Sequence, residues 1–185
     1  NPTDIKYTTP VCDSSWEAVN EIKVGGRNLA HDTNTEEWKA WSTGTVSFWK
    51  DGDRQVIRIE KSGPGTFNIC IVQKNGGVKL KQNTLYTLSF EVRGNFSRLG
   101  YNYMINSPGP NQGISGVDVP SEEEFTKVSI QVTPIQTTYE ANYSNIMIGH
   151  NAVDVLEGET KWIEVKNVKI ELGNVATDWT PAPED

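Results

Sequence analysis

Apolar and polar residues alternate with a period of two along most of the chain. The clearest run is Thr84–Arg93, where Tyr86, Leu88, Phe90 and Val92 alternate with polar or charged residues. A strand with this pattern buries one face and exposes the other. Similar short runs predict strands over residues 46–50, 55–60, 67–73, 78–81, 84–93, 99–105, 125–132, 143–149 and 162–172.

The signals between these runs favour antiparallel pairing. Asp51-Gly52-Asp53 separates two β-rich runs, and Asp-Gly in such a place predicts a hairpin. Helical periodicity is scarce, and the chain has about nine to eleven predicted strands with regularly spaced turns. We therefore predict an all-β fold, a two-sheet antiparallel β-sandwich of the jelly-roll type. The longest predicted loop, residues 107–120, is rich in Pro and Gly.

The length of 185 residues fits one domain. Residues 1–24 hold Pro2 and Pro10 and show no strong alternation, so we interpret them as a linker or connecting arm. Gly25-Gly26 marks the boundary. The module itself is predicted to span residues 25–185.

Charge and hydropathy exclude two classes of partner. The net charge of −7 at pH 7 argues against nucleic acid, because a phosphate-binding surface needs clustered Lys and Arg. It also argues, more weakly, against anionic lipids. No apolar run reaches the roughly 18 residues of a membrane span. We expect neither a nucleic-acid nor a membrane partner.

Signatures of catalysis are missing from the sequence. Two His and two Cys cannot build a His-rich or Cys-based zinc site, and no phosphate-binding loop or nucleophile elbow occurs. A glycosidase needs two placed carboxylates, but the acids here lie mostly in turns and on polar strand faces, as solvated charges do. We predict a protein that is not an enzyme and has no metal or other cofactor. Whether Cys12 and Cys70 pair is left open.

Aromatic residues are the chemistry that the chain does supply, with six Trp and six Tyr. Sugars stack their C–H faces on aromatic rings and pair their hydroxyls with amides, carboxylates and guanidinium groups, so a glycan site needs both kinds of residue together. Strict alternation places Trp49 on a polar strand face. A large aromatic side chain exposed there calls for an explanation such as ligand binding. The candidate carbohydrate-binding residues are Trp38, Trp41, Trp49, Glu91, Arg93, Tyr101, Asn102, Tyr103, Tyr143 and Asn145.

Packing is the alternative interpretation for each of these aromatic residues taken singly. Tyr86 and Phe90 are predicted to lie in the core, and Trp162 and Trp179 to serve as packing residues. We expect at least two of the candidate rings to line a ligand surface.

Four segments resemble known modules. The closing segment Val168–Asp185 and the opening segment Gly25–Leu29 resemble the ends of modules in tail proteins of phages and prophages of Gram-positive bacteria. Leu85–Phe90 and Phe125–Ser129 resemble two strands of carbohydrate-binding modules of the family 4/9 type. The resemblance covers roughly residues 26–185. The end segments are fairly specific to phage tails, and the middle ones only to the jelly-roll superfamily.

The resemblance implies a jelly roll with a glycan site on a concave face or at a loop edge. It implies a module of a distal-tail, baseplate or tail-fibre protein, located in the virion tail, assembled in the bacterial cytoplasm and active outside the cell. The implied partners are host cell-wall polysaccharide or oligosaccharide and the parent phage tail protein. A structural spacer or protein-interaction domain with the same fold is the alternative, and a polysaccharide depolymerase is less well supported.

A structural calcium ion is also implied, held in part by an Asp in the last long strand of many relatives. Lys166 and Asn167 stand at that place here, so calcium is not expected at the family position. Asp32 and Asp178 are the acids that remain for some other site.

Overall fold

The regular structure consists of β-strands. The computed structural model describes residues 26–40, 44–73, 78, 80–95, 97–99, 101–106, 112–114, 116–134 and 144–183, some of them by backbone alone. Within these ranges the strands are β1 (Trp38–Ala40), β2 (Thr45–Asp51), β3 (Arg54–Ser62), β4 (Gly65–Gln73), β5 (Tyr86–Gly94), β6 (Arg98–Leu99), β7 (Tyr101–Asn106), β8 (Gln112–Ile114), β9 (Val117–Asp118), β10 (Thr126–Val132), β11 (Ser144–Val155) and β12 (Thr160–Leu172). No helix in these ranges could cross a membrane.

The strands form two five-stranded sheets and one small ladder. Sheet I has the order β1-β4-β11-β7-β8, and sheet II has the order β10-β5-β12-β3-β2. Strands β6 and β9 form the separate pair. Every pairing is antiparallel. The predicted all-β jelly-roll sandwich is confirmed.

The core lies between the two sheets. Leu88, Phe90 and Val92 of sheet II are buried with Ile146 and Ile148 of sheet I in one hydrophobic cluster. The alternation in β5 produces this arrangement, because every second side chain points to the same face of a strand. The predicted core positions of Tyr86 and Phe90 are confirmed, with exposed fractions of 4% and 1%.

The hairpin at Asp51-Gly52-Asp53 is confirmed. Strands β2 and β3 pair up to Asp51 opposite Arg54, which leaves Gly52 and Asp53 as the turn. Gly52 has a φ of 63°, a left-handed conformation that glycine adopts without steric cost. The hairpin fixes the register that places Trp49 and Arg58 on the outer face of sheet II.

Two predicted elements differ from the structure. The predicted strand at 78–81 is not a strand in its described residues, although Val78 and Leu80 are each only 1% exposed. The Lys81 backbone N–H donates to the Tyr86 hydroxyl at 2.9 Å rather than to a neighbouring strand, so burial here does not depend on strand pairing. The predicted loop 107–120 contains β8 and β9, because its two arms pair with β7 and β6.

The opening and closing segments of the module meet on β12. Asn28 is fully buried, and its Oδ1 accepts hydrogen bonds from the backbone N–H groups of Ala30 and Ile170, each at 3.1 Å. Its Nδ2 donates to the carbonyls of Val168 and Thr180, again at 3.1 Å. One amide side chain therefore joins the start of the module, its last strand and its final segment.

A buried ion pair in β12 holds the chain that follows this strand, residues 173–183, on the outer face of sheet II. The Lys169 and Glu171 side chains are 1% and 0% exposed, with 3.4 Å between Nζ and Oε2. Lys169 Nζ donates to Thr177 Oγ1 at 2.6 Å and to the Asp178 carbonyl at 2.7 Å. Glu171 Oε1 accepts from the Thr177 backbone N–H at 2.7 Å. Trp179 Nε1 donates to the Val168 carbonyl at 2.9 Å, which fixes the indole beside β12.

Candidate functional site

The outer face of sheet II gathers charged and aromatic side chains in neighbouring strands. Glu164 of β12 is the register partner of both Arg93 in β5 and Arg58 in β3. Trp49 lies on the edge strand β2, opposite Val56 of β3. Since side chains alternate between faces, these residues share the face that points away from the core.

Glu164 is the centre of this group. Its side chain is 5% exposed. Oε1 accepts from Arg58 Nη1 at 3.0 Å and from Trp49 Nε1 at 3.2 Å, while Oε2 accepts from Arg93 Nε at 2.7 Å. We call Trp49, Arg58, Arg93 and Glu164 the Glu164 cluster. Its members span four of the five strands of sheet II.

The charges of the cluster stabilise one another. Partial burial would by itself lower the pKa of Arg58, but the hydrogen bonds and charges of Glu60 and Glu164 outweigh it and raise that pKa. Hydrogen bonds between charged groups are shorter and stronger than neutral ones. The polar atoms of the cluster therefore serve mainly to hold its side chains in place.

The Trp49 ring is what the cluster offers to solvent. Trp49 is 36% exposed, and among the residues whose side chains the structure describes, no other Trp, Tyr or Phe is an exposed large hydrophobic residue. Its Nε1 is held by Glu164, and the Arg93 guanidinium lies 5.6 Å from the ring centroid. A ring already fixed in one orientation loses little conformational entropy when a ligand stacks on it.

A second row of polar groups lies beside the cluster. Lys166 Nζ pairs with Asp51 and lies 3.5 Å from Glu91 Oε2. Asn167 Nδ2 donates to Glu91 Oε1 at 2.7 Å. The hydrogen bond and charge of Lys166 lower the pKa of Asp51. This row supplies carboxylate and amide groups within the same face as Trp49.

Phe125 joins the two rows. The Arg93 guanidinium lies 4.6 Å from its ring centroid and Lys166 Nζ lies 4.2 Å from it. Arg58 lies similarly over Trp162, at 4.3 Å. Such cation–π contacts fix both the cation and the ring.

The structure brings together three of the ten residues predicted from sequence. Trp49, Glu91 and Arg93 lie on the same outer face, as the alternation predicted. Their role in binding stays a prediction. Trp38 requires a correction: it is 1% exposed in the core cluster, with its Nε1 donating to the Asp32 carbonyl at 3.1 Å, so it presents no ring face to a ligand.

The other predicted residues lie elsewhere. Tyr101, Asn102 and Tyr103 are in β7, and Asn145 is in the neighbouring strand β11 of sheet I. These four are described by backbone alone. Trp41 and Tyr143 lie outside the described residues, as does the predicted linker 1–24.

Sequence reasoning missed Glu164, Arg58 and Phe125. Glu164 lies between Ile163 and Val165 in an alternating strand, which predicts only an outward-facing acid. Its three partners lie 71, 106 and 115 residues away along the chain. No local pattern carries the register that joins them.

The family calcium position does not fit a metal ion here. Lys166 contributes an ammonium group to this place, already paired with Asp51 and close to Glu91. A second cation would be repelled by it. In the described part of the chain, no group of three or more His, Cys, Asp or Glu side chains could hold a metal.

Known proteins resemble the chain in structure but not detectably in sequence. No family model matches it, and no curated protein matches it. The N-terminal cellulose-binding domain of β-1,4-glucanase C from Cellulomonas fimi aligns with a TM-score of 0.56 and 15% identity, covering 82% of this chain and 100% of that domain. The CBM22-1 xylan-binding domain of Xyn10C from Paenibacillus barcinonensis aligns with a TM-score of 0.52 and 14% identity, covering 83% and 99%.

A phage protein has a similar region. The enzymatically active domain of tailspike protein 4 from bacteriophage CBA120 aligns with a TM-score of 0.53 and 14% identity. The match covers 78% of this chain but only 21% of the tailspike chain. At these identities the likeness establishes the fold: the chain has the jelly-roll fold of carbohydrate-binding modules.

Proposed function

We propose that the chain is a non-catalytic carbohydrate-binding module of a phage tail protein, attaching the phage to host cell-wall polysaccharide. The observation that carries the proposal is the Trp49 ring, exposed on a polar strand face and fixed by Glu164. Two proteins with the same fold are named for binding cellulose and xylan, and a third is a phage tailspike. The opening and closing segments of the chain resemble those of phage tail modules.

The mechanism is stacking assisted by hydrogen bonds. A sugar ring places its C–H face on Trp49, and its hydroxyls reach the second row of polar groups, which includes Glu91 and Asn167. Such shallow contact gives weak single-site affinity, in the high-micromolar range or worse, which corresponds to about 5–6 kcal/mol. Several copies on one phage tail would raise the overall affinity through avidity.

The Glu164 cluster also favours binding over hydrolysis. A glycosidase needs one carboxyl group to donate a proton and a second to act as base or nucleophile. Glu164, the one carboxylate of this cluster, has its oxygens occupied by Arg58, Arg93 and Trp49. This arrangement orders a surface rather than freeing an acid.

A protein-interaction domain is the second candidate, and one feature favours it. Leu85, Leu172 and Val175 are 37%, 40% and 39% exposed. The first two lie at the same end of sheet II, where the Gly173 backbone N–H donates to the Leu85 carbonyl at 2.9 Å. Exposed aliphatic side chains of this kind occur at contacts with other proteins.

The test is binding of a fluorescent fusion of the chain to Gram-positive host cells and to their purified wall polysaccharide. We expect saturable binding that Trp49→Ala weakens by about tenfold or more. Leu156→Ala is the matched control, because Leu156 is 63% exposed and lies outside the Glu164 cluster. Thermal unfolding checks that each variant is folded.

One further variant distinguishes the two sheets as the location of the site. Tyr103→Ala tests sheet I, where Tyr101, Asn102, Tyr103 and Asn145 lie. Loss of binding in Tyr103→Ala with Trp49→Ala unaffected would move the site to sheet I. Absence of binding to every strain and polysaccharide in the panel would reject the carbohydrate function and favour the interaction domain.

A further inference from the structure

A pocket opens where the closing segment crosses the outer face of sheet II. Its volume is about 250 Å3, and its walls include Arg54, Glu91, Lys127, Asn167, Asp178 and Trp179. A chain of contacts links the pocket to the Glu164 cluster. Glu91 of the pocket wall contacts Lys166, and Lys166 lies over the Phe125 ring. The same ring is in contact with Arg93 of the cluster. The pocket offers a partly enclosed recess beside an otherwise open surface.

The walls of the pocket are held in place before any ligand arrives. Lys127 Nζ donates to the Thr177 carbonyl at 3.0 Å, which joins β10 to the closing segment. The Arg54 guanidinium lies 4.1 Å from the Trp179 ring centroid. The buried Lys169 holds the Asp178 carbonyl. A pocket formed in advance does not need ligand binding to order its walls.

Size and charge together define what fits. Pockets for drug-sized ligands have volumes of roughly 300–1,000 Å3, and this one is slightly smaller, which suits one sugar ring rather than a chain. Arg54 and Lys127 balance Glu91 and Asp178 in charge, so the walls favour neither an anion nor a cation. Polar groups around one aromatic side chain suit a neutral ring with hydroxyl groups.

Asn167 has a buried side-chain oxygen, Oδ1, that the described part of the protein leaves without a hydrogen bond. Its φ of 55° lies in the left-handed region, at the point where the β12–β5 register shifts. Unusual backbone and unsatisfied polar atoms cluster at functional sites, because the surrounding fold must hold them against their own preference.

We propose that this pocket binds a single neutral sugar ring, the terminal or side-branch unit of the glycan. The proposal rests on the proposed carbohydrate function and adds a second contact region with its own role in binding. Trp49 contacts the chain of the glycan. The pocket between Asn167 and Trp179 selects the unit that ends or branches it, with Glu91 and Lys127 as hydroxyl partners.

The test uses the indole N–H and side-chain amide signals of the 15N-labelled chain in NMR titrations. The probes are a panel of neutral hexoses and N-acetylhexosamines, each up to high millimolar concentration, and the purified wall polysaccharide. We expect at least one monosaccharide to shift the Trp179 indole and Asn167 amide signals, with a Kd of about 1–10 mM. The polysaccharide shifts the Trp49 indole signal as well.

Two glycine variants make a matched pair. Asn167 and Asn83 both have a φ of 55°, and Asn83 is exposed outside the pocket walls. Glycine adopts this φ without strain, so both replacements preserve the backbone. We expect Asn167→Gly to weaken monosaccharide binding about tenfold and Asn83→Gly to change it by less than about twofold. Asn167→Gly also removes the hydrogen bond to Glu91 Oε1, so its melting temperature should fall only slightly below that of Asn83→Gly.

The outcomes separate this proposal from the proposed function. Polysaccharide binding that shifts Trp49, with no monosaccharide shifting Trp179 and with Asn167→Gly unaffected, overturns the pocket and leaves the carbohydrate function standing. No binding of any probe overturns both. Loss of binding in Asn167→Gly together with a large drop in melting temperature also overturns the pocket, since Asn167 would then be structural.

Discussion

Two polar networks lie on the outer face of the same sheet and differ in burial. In the closing network, Lys169 and Glu171 are 1% and 0% exposed and hold Thr177. In the Glu164 cluster, the Arg58 and Arg93 side chains are 26% and 25% exposed, and Trp49 is 36% exposed. Both centre on a carboxylate of β12.

The difference in burial distinguishes a network that stabilises the module from a cluster that exposes a side chain to solvent. In the closing network the polar groups bind one another beneath the final segment, so the network joins segments and presents no ring. In the Glu164 cluster the charges fix one another and leave an aromatic ring in solvent. Burial raises the cost of breaking a polar contact, because an unpaired group inside the protein loses its water as well as its partner.

The largest expected effect comes from breaking the closing network. Lys169→Met leaves the Glu171 carboxylate buried without its cation, and removing one partner of a buried ion pair costs about 3–5 kcal/mol of unfolding free energy. Urea denaturation monitored by Trp fluorescence measures it. The double variant Lys169→Met with Glu171→Leu should recover much of the loss. A single variant within about 1 kcal/mol of the unmodified chain would contradict the structural role of this pair.

The Glu164 cluster should respond less to the equivalent change. Glu164→Gln turns an amide N–H2 group toward Arg58 or Arg93, which are themselves donors, and these partners, each about a quarter exposed, can recover water. We expect a loss of about 1–2 kcal/mol by urea denaturation and a shift of the Trp49 indole signal in NMR. Glu60→Gln is the control, because Glu60 is 38% exposed and pairs with Arg58 at the edge of the cluster. Equal losses in Glu164→Gln and Lys169→Met would remove the distinction between the two networks.

The smallest effect concerns the exposed edge of the second row. The pKa of Asp51 is lowered by Lys166, so the folded state favours its ionised form. The resulting stability is fully present above the ordinary Asp pKa of about 3.9 and is lost as pH falls through the lowered value. Comparison of the chain with Asp51→Asn should therefore give a constant difference in stability from about pH 7 to pH 5 that shrinks in stronger acid. A difference that vanished already near pH 6 would require another titrating group.

The sequence predicted the architecture better than the site. The strand over Thr84–Arg93 and the Asp-Gly turn at residues 51–53 depend on neighbours in the chain, and both predictions are confirmed. The exposure expected for the polar face of that strand is wrong in part, because Thr87 and Ser89 are each 2% exposed, with Thr87 Oγ1 donating to the Gly173 carbonyl.

Trp38, a predicted binding residue, lies in the core cluster, and no alternation around it predicted this burial. Its burial follows from the packing of β1 beside β4, which brings Trp38 opposite Gln73.

The two end segments illustrate the same limit. The motifs of both segments are visible in the sequence, but the contacts that join the two segments are not. Asn28 is separated by 140 residues from Val168 and by 152 from Thr180, yet it hydrogen-bonds to both. Only the folded chain shows that the segments resembling phage tail modules form one joint around β12.

By itself, the sequence determined that this chain is an antiparallel β-sandwich, which face of each clear strand points to the core, and that Trp49 lies on a polar face. These properties follow from a two-residue period and from turn chemistry, and both are local. Tertiary structure decided that Trp49, Arg58, Arg93 and Glu164 form one cluster, that Trp38 is core, and that the closing segment forms a pocket with Asn167. Those contacts depend on strand order and register, which alternation within a single strand does not encode.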